Sequence, residues 1–124
     1  MACRGIRGAI SVDVDKADAI LAATRELLER IVSANDLRVE DLASVVFTAT
    51  PDLTAAYPAQ AARDMGWHYT PLLCMQEMAV NDSVSRCIRV LAMWNTDRPP
   101  DQVHHVYLGR ARVLRPDLAE EELE

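Results

Sequence analysis

The sequence has little lysine, few aromatic residues and a surplus of acidic side chains. Lys16 is the single lysine among 13 Lys and Arg residues, and 19 Asp and Glu residues leave a net charge of −6. A chain that binds nucleic acid usually presents a basic face, so this balance argues against a nucleic-acid partner. No apolar run is long enough to span a membrane. Arg4 and Arg7 also fall where a signal peptide would have its apolar core.

Cysteine is scarce as well. Cys3, Cys74 and Cys87 are odd in number and have no metal-ligand spacing, which argues against a disulfide scaffold and against a zinc site. We therefore expect a reducing, cytoplasmic setting. A length of 124 residues, half of them apolar, predicts one folded domain over residues 1–124.

Strand and helix patterns alternate early in the chain, and strands follow one another later. Apolar periodicity and β-branched residues predict strands over residues 3–12, 44–49, 87–94 and 104–108. Asp15 is the predicted N-cap of a helix that runs to about Ala34, and Asn35 would follow it as a left-handed stop. A shorter helix is predicted over residues 59–65. This order of elements predicts an α+β fold, a mixed β-sheet with helices packed on one side.

Charged side chains interrupt two otherwise apolar segments. Glu77 follows Met75 closely, and Arg89 is flanked by Ile88 and Val90. Unpaired charge in apolar surroundings is costly, so either these two groups pair with each other or a ligand pairs with them. We favour the ligand, and we interpret both segments as parts of one binding site.

The first predicted strand sets one long cation among small residues. Arg7 shares its face of the strand with Gly5, Ala9 and Ser11. The small neighbours leave open space above the sheet, which suits a bound molecule. A solvent-facing arginine on a half-exposed strand explains the same pattern, and from this strand alone it is the better interpretation.

Six segments match a known family, in the same order and over nearly the whole chain. They are RGIRGA at 4–9, ATPDL at 49–53, CMQEM at 74–78, CIRV at 87–90, HVYL at 105–108 and VLRPDL at 113–118. In these segments the sequence resembles the monofunctional chorismate mutases of the trimeric Bacillus type, the AroH class. The resemblance implies a [3,3] rearrangement of chorismate to prephenate, towards phenylalanine and tyrosine, without a cofactor or a metal. It also implies a homotrimer that forms a pseudo-α/β barrel, with sites between neighbouring subunits.

The resemblance also implies a role for individual residues. Arg89 would face the ether oxygen that gains negative charge, Arg7 would bind a carboxylate, and Glu77 would accept a hydrogen bond from the ring hydroxyl. Cys74 would lie against the ring, although a buried small side chain is an equally good interpretation. Tyr107 would contact the side-chain carboxylate. Further lining residues would be Leu73, Met75, Gln76 and Leu114, with Tyr57, Arg63 and Arg115 around the mouth of the site.

Two alternatives to a chorismate mutase stay open. A non-catalytic trimeric module that binds a small dicarboxylate would need Arg7 and Tyr107 but not Arg89. The presence of Arg89 together with Glu77 favours the enzyme. A trimeric enzyme that acts on an imine or enamine should show a water-activating acid or base, and the sequence offers no clear candidate.

Several positions depart from the family pattern or fall outside the implied site. Gln60 stands where the family often has lysine, Tyr57 where it usually has phenylalanine, and Leu73 where it has a polar residue. These departures bear on substrate capture rather than on the reaction. The adjacent His104 and His105 lack companions for a metal site, and we interpret them as ordinary strand residues.

Overall fold

A five-stranded mixed sheet forms the centre of the computed structural model, which describes residues 2–118. The strands are β1 (Cys3–Ser11), β2 (Leu42–Ala49), β3 (Leu72–Gln76), β4 (Cys87–Asn95) and β5 (Val106–Leu108). The helices are α1 (Ala17–Asn35) and α2 (Ala59–Asp64), with 3₁₀ turns at Val39–Asp41, Pro100–Gln102 and Gly109–Leu114. The strand order is β3-β2-β4-β1-β5. Strand β4 runs antiparallel to both neighbours, and the edge strands β3 and β5 run parallel to theirs. The predicted α+β class with a mixed sheet is confirmed.

Both helices pack on one face of the sheet, which we call the helix face. Helix α1 buries an apolar row against inward-pointing strand residues, and α2 joins the same core. Gly8 of β1 permits this close packing, because a Cβ atom there would lie 2.8 Å from Cδ1 of Ile31. The fully buried members of this core include Ile6, Ile20, Leu27, Ile31, Phe47 and Ile88.

Helix α1 begins one residue later than an Asp15 N-cap would require. Its first residue is Ala17, and Lys16 occupies the N-cap position without a side-chain cap. The Asp15 carboxylate instead accepts hydrogen bonds from the backbone N–H of Thr54, the Thr54 hydroxyl and the backbone N–H of Ala55, at 3.0, 2.9 and 3.0 Å. The predicted cap is therefore wrong, and Asp15 ties a distant loop to the start of the helix.

The predicted left-handed stop at Asn35 is also wrong. Asp36 takes the left-handed conformation with φ of 49°, one residue further on. Asn35 is fully buried, and its amide group donates to the carbonyls of Ile31 and His104. The side chain thus joins the end of α1 to the segment before β5.

The opposite surface of the sheet, which we call the open face, has little cover within residues 2–118. It carries Arg7 of β1, Thr48 of β2, and Arg89 and Leu91 of β4. The 3₁₀ turn Gly109–Leu114 covers one corner. No helix among residues 2–118 has the length and apolar character needed to cross a membrane.

Candidate active site

The open face brings together four of the charged or polar residues predicted from sequence, namely Arg7, Glu77, Arg89 and Tyr107. In the β1–β4 ladder Arg7 lies opposite Leu91, and Ala9 lies opposite Arg89. Arg7 and Arg89 therefore point to the same side of the sheet, from adjacent strands. They open into a cavity of about 280 Å³, whose lining is Arg7, Gly8, Val46, Thr48, Glu77, Arg89, Val90, Leu91 and Tyr107.

The cavity has a surplus of positive charge. It contains two guanidinium groups and one carboxylate, and Glu77 Oε2 lies 3.9 Å from an Arg89 terminal nitrogen. This distance is too long for a charge-assisted hydrogen bond, which spans about 2.7–2.9 Å. The Arg89 side chain keeps 45% of its surface exposed and Glu77 keeps 26%. The arrangement is a loose ion pair that leaves room for an anionic ligand.

Thr48 is a site residue that the sequence analysis missed. Its hydroxyl donates to Glu77 Oε1 at 2.6 Å, and Thr48 lies opposite Arg89 in the β2–β4 ladder. The backbone N–H of Glu77 also donates to the Ala49 carbonyl at 2.9 Å. These two bonds hold the Glu77 carboxylate beside Arg89. Alternation with the apolar Phe47 could have placed Thr48 on the opposite face of its strand, but it could not have placed Thr48 beside Arg89.

Cys87 lies on the open face beside this cavity, in an adjoining pocket that also includes Glu77 and Arg89, as a neutral thiol. The residue is 3% exposed and packs with Ala9, Tyr107 and Ala111. Burial raises the pKa of the Cys87 thiol, and the nearby Arg89 charge only partly opposes that rise. Because the thiolate is the reactive form, Cys87 is not an activated nucleophile.

A second concave surface, which we call the groove, lies beside the edge strand β3. It has a volume of about 490 Å³ and is lined by residues 49–51 and 53–58 together with Cys74, Met75 and Gln76. Cys74 lies opposite Phe47 in the β2–β3 ladder and packs against the main core on the helix face. Within one chain, the side chains of Cys74 and Arg89 therefore lie on opposite faces of the sheet.

Known proteins similar to the chain share one activity in their names. The profile of the family "Chorismate mutase type I" matches residues 3–118. Chorismate mutase AroH of Thermus thermophilus is 57% identical over 116 residues, which cover 93% of this chain and 95% of the relative. Chorismate mutase AroH of Bacillus subtilis is 48% identical over 120 residues, with coverage of 96% and 94%. The solved structure of a Clostridium thermocellum chorismate mutase superposes with a TM-score of 0.86 at 47% identity, covering 88% of this chain and 97% of that one.

The chain belongs to the chorismate mutase type I family. The family resemblance noted in the sequence is thereby confirmed, and the chain is an isomerase with chorismate mutase activity. The dicarboxylate-binding module without catalysis is not favoured.

The remaining residues implied by the chorismate mutase resemblance lie around these two surfaces. Tyr57 is 72% exposed on the wall of the groove. On α2 the exposed Arg63 donates to the Gln60 side chain at 3.3 Å. Leu73 is 57% exposed, and its pairing with Val46 directs it to the open face.

The C-terminal members of the implied chorismate mutase site approach the cavity from its other side. Leu114 lines an adjoining pocket that also includes Glu77 and Arg89. The Arg115 guanidinium makes two hydrogen bonds to the Asp117 carboxylate, at 2.8 and 3.0 Å. These bonds hold the pKa of Asp117 below its ordinary value. Asp117 therefore balances the positive charge that Arg115 was expected to bring to the mouth of the site.

Proposed function

We propose that the chain rearranges chorismate to prephenate in a site that two neighbouring copies complete. The open-face cavity of one copy would provide Arg7, Glu77, Arg89 and Tyr107, and the groove of the next would provide Cys74. The observation that carries this proposal is the placement of Cys74 and Arg89 on opposite faces of one sheet. A small ligand cannot contact both side chains of a single chain.

The reaction needs a folded substrate and a fixed positive charge. Chorismate must coil its enolpyruvyl chain over the ring before the new carbon–carbon bond forms and the ether carbon–oxygen bond breaks. In the transition state the ether oxygen gains negative charge. Arg89 would stabilise that oxygen electrostatically from its place on β4 beside Glu77, 3.9 Å away.

The other cavity residues would select the compact conformer. Arg7 would bind one substrate carboxylate through its planar guanidinium, and Tyr107 would contact the side-chain carboxylate. Glu77 would accept a hydrogen bond from the ring hydroxyl, while Thr48 holds its other oxygen. Fixing several points of a flexible diacid lowers the entropic cost of reaching the transition state, and the reaction is therefore faster. Cys74, Met75, Gln76 and Tyr57 would close the other side, with Leu73, Leu114, Arg63 and Arg115 at the margins.

A homotrimer is the assembly that fits this division of the site. Leu91, Leu73 and Met75 leave 45–57% of their surfaces exposed on or beside the open face. Apolar surface of this kind usually marks an interaction site, and another copy of the chain would cover it. Three copies joined head to tail would close into a ring, the pseudo-α/β barrel that the family resemblance implies.

We place this activity in the cytoplasm. The three cysteines are unpaired, and the exposed Cys3 would be at risk of oxidation elsewhere. We also infer that residues 1–124 act as one domain.

Two measurements test the proposal. Purified protein should convert chorismate to prephenate far faster than buffer, as followed by chorismate absorbance and product analysis. A rate equal to that of buffer would contradict the function. Light scattering should give the mass of three 13.8 kDa chains. An active monomer would contradict the shared site but would not contradict the chorismate mutase activity.

A further inference from the structure

The ring of His105 replaces a backbone acceptor at the edge of the sheet. The backbone N–H of Arg7 donates to His105 Nδ1 at 2.9 Å. Strands β1 and β5 pair over three positions, beginning with Gly8 opposite Val106. The imidazole extends this short pairing by one residue, and that residue carries the guanidinium proposed to bind the substrate.

The hydrogen bond fixes the protonation state of the ring. A backbone N–H can only donate, so Nδ1 of His105 must be unprotonated and the neutral ring must carry its proton on Nε2. A protonated imidazole would set one N–H against another. Protonation would therefore release the Arg7 backbone from β5.

The segment before β5 is held from the helix side as well. Asn35 accepts a hydrogen bond from the His104 N–H at 2.8 Å and donates to the His104 carbonyl at 2.9 Å. The amide is neutral and fully buried, so this clamp does not change with pH. It leaves the neighbouring His105 ring as the titratable part of the connection.

The surroundings of His105 favour the neutral ring. Burial lowers the pKa of His105, and the positive charges of Arg7, Arg115 and His104 lower it further. Among residues 2–118, the ionisable groups around it are Arg4, Arg7 and Cys3 from β1, which line the same pocket, His104 on its own segment, and Arg115 with its partner Asp117 from the C-terminal segment. Asp117 is the one acid among them, and it is already paired with Arg115.

We propose that neutral His105 is a positioning residue that holds the Arg7 main chain for substrate binding. This inference rests on the proposed role of Arg7. Tyr107 follows two residues later and lies opposite Ala9, so the same bond also fixes the relative position of the two groups assigned to carboxylates. His105 itself need not touch the substrate. Its loss should weaken binding more than it slows the chemical step.

Two substitutions separate the acceptor from the rest of the ring. In His105→Asn the amide oxygen replaces Nδ1, so the acceptor stays and titration is lost. His105→Gln places its amide near Nε2 and leaves the Arg7 N–H without an acceptor. We expect His105→Gln to raise KM about five- to tenfold with kcat changed less than twofold. In His105→Asn, which keeps the acceptor, KM should stay close to the wild-type value. His104→Gln is the matched control, because the His104 side chain is exposed.

The pH dependence of kcat/KM separates a positioning role from a merely structural one, because a merely structural role would not alter the acid limb of the profile. For the wild type, kcat/KM should fall as the pH drops below the ordinary histidine pKa of about 6.5 and the ring gains its proton, and this acid limb should be weaker in His105→Asn. Equal KM values for the Asn and Gln variants, or an unchanged acid limb in His105→Asn, would overturn the proposal.

Nitrogen NMR of the ring provides a test that does not depend on activity. At neutral pH the imidazole shifts should report a proton on Nε2, with a pKa below that of free histidine. A proton on Nδ1 would overturn the proposal even in an active enzyme. If the wild type failed to convert chorismate, the proposed function would fall, and the shifts would still decide whether His105 holds the Arg7 backbone.

Discussion

Replacing Arg89 by methionine removes the charge and keeps much of the side-chain length. The effect on folding should be small, because Arg89 is 45% exposed and lies 3.9 Å from its acidic neighbour Glu77. Exposed ion pairs of this kind contribute about 0–1 kcal/mol. The effect on the reaction should be much larger, since in the proposed site the ether oxygen would gain negative charge beside Arg89.

The size of that effect follows from Coulomb's law. Two unit charges about 4 Å apart interact by about 4 kcal/mol at an effective dielectric constant of about 20. The ether oxygen gains only part of a unit charge, so we take about 2.7 kcal/mol, the lower end of the cost of removing one donor to a developing oxyanion. That amount corresponds to a loss of about a hundredfold in rate.

The assay compares kcat for chorismate with the melting temperature of the same preparation. Arg98→Met is the matched control, because the Arg98 guanidinium lies over the Trp94 ring, at 5.0 Å, rather than in the cavity. It should leave kcat within about twofold of wild type, since it removes only a cation–π contact. A wild-type rate in folded Arg89→Met would show that the cation at the ether oxygen is wrongly assigned.

Two further predictions concern packing and the loop beside the groove. Gly8→Ala should lower the free energy of unfolding by about 1–3 kcal/mol, because the new Cβ would press on Ile31; unchanged stability in urea would contradict this packing. Hydrogen bonds from the Thr54 side chain, then from the backbone of Thr54 and Ala55, hold the pKa of Asp15 below its usual value. The resulting stability is present above the unfolded-state pKa and is lost as pH falls through the lower, folded-state pKa. The melting temperature of wild type should therefore drop more steeply than that of Asp15→Asn below about pH 4, and parallel curves would refute the effect.

Local sequence patterns predicted most of the sheet. Alternation and β-branched runs located β1, β2 and β4 to within two residues, because one face of each strand is buried and the other is not. Strand β5 is shorter than predicted. Its pairing begins at Val106, since the His104 backbone is held by the buried amide of Asn35. The 3₁₀ turn Gly109–Leu114 was not predicted.

The errors and omissions come from contacts between distant parts of the chain. Asp15 has the chemistry of a helix cap, but the loop at Thr54 competes for its carboxylate across 39 positions. Thr48 became a site residue only through the strand register that sets it opposite Arg89. The β2–β3 register likewise decides that Cys74 faces the helices. None of these pairings can be deduced from local periodicity.

The division of the site between two copies is tested most directly by mixing two inactive variants. Arg89→Met impairs the cavity, and Ala55→Trp fills the groove from an exposed position on its wall. Each variant alone should be nearly inactive. Refolded together in equal amounts, random closed trimers should recover about a quarter of the wild-type sites, because one site in four joins an intact cavity to an intact groove. Activity no higher than that of the separate variants, or an active Ala55→Trp protein, would contradict a site shared between neighbouring copies.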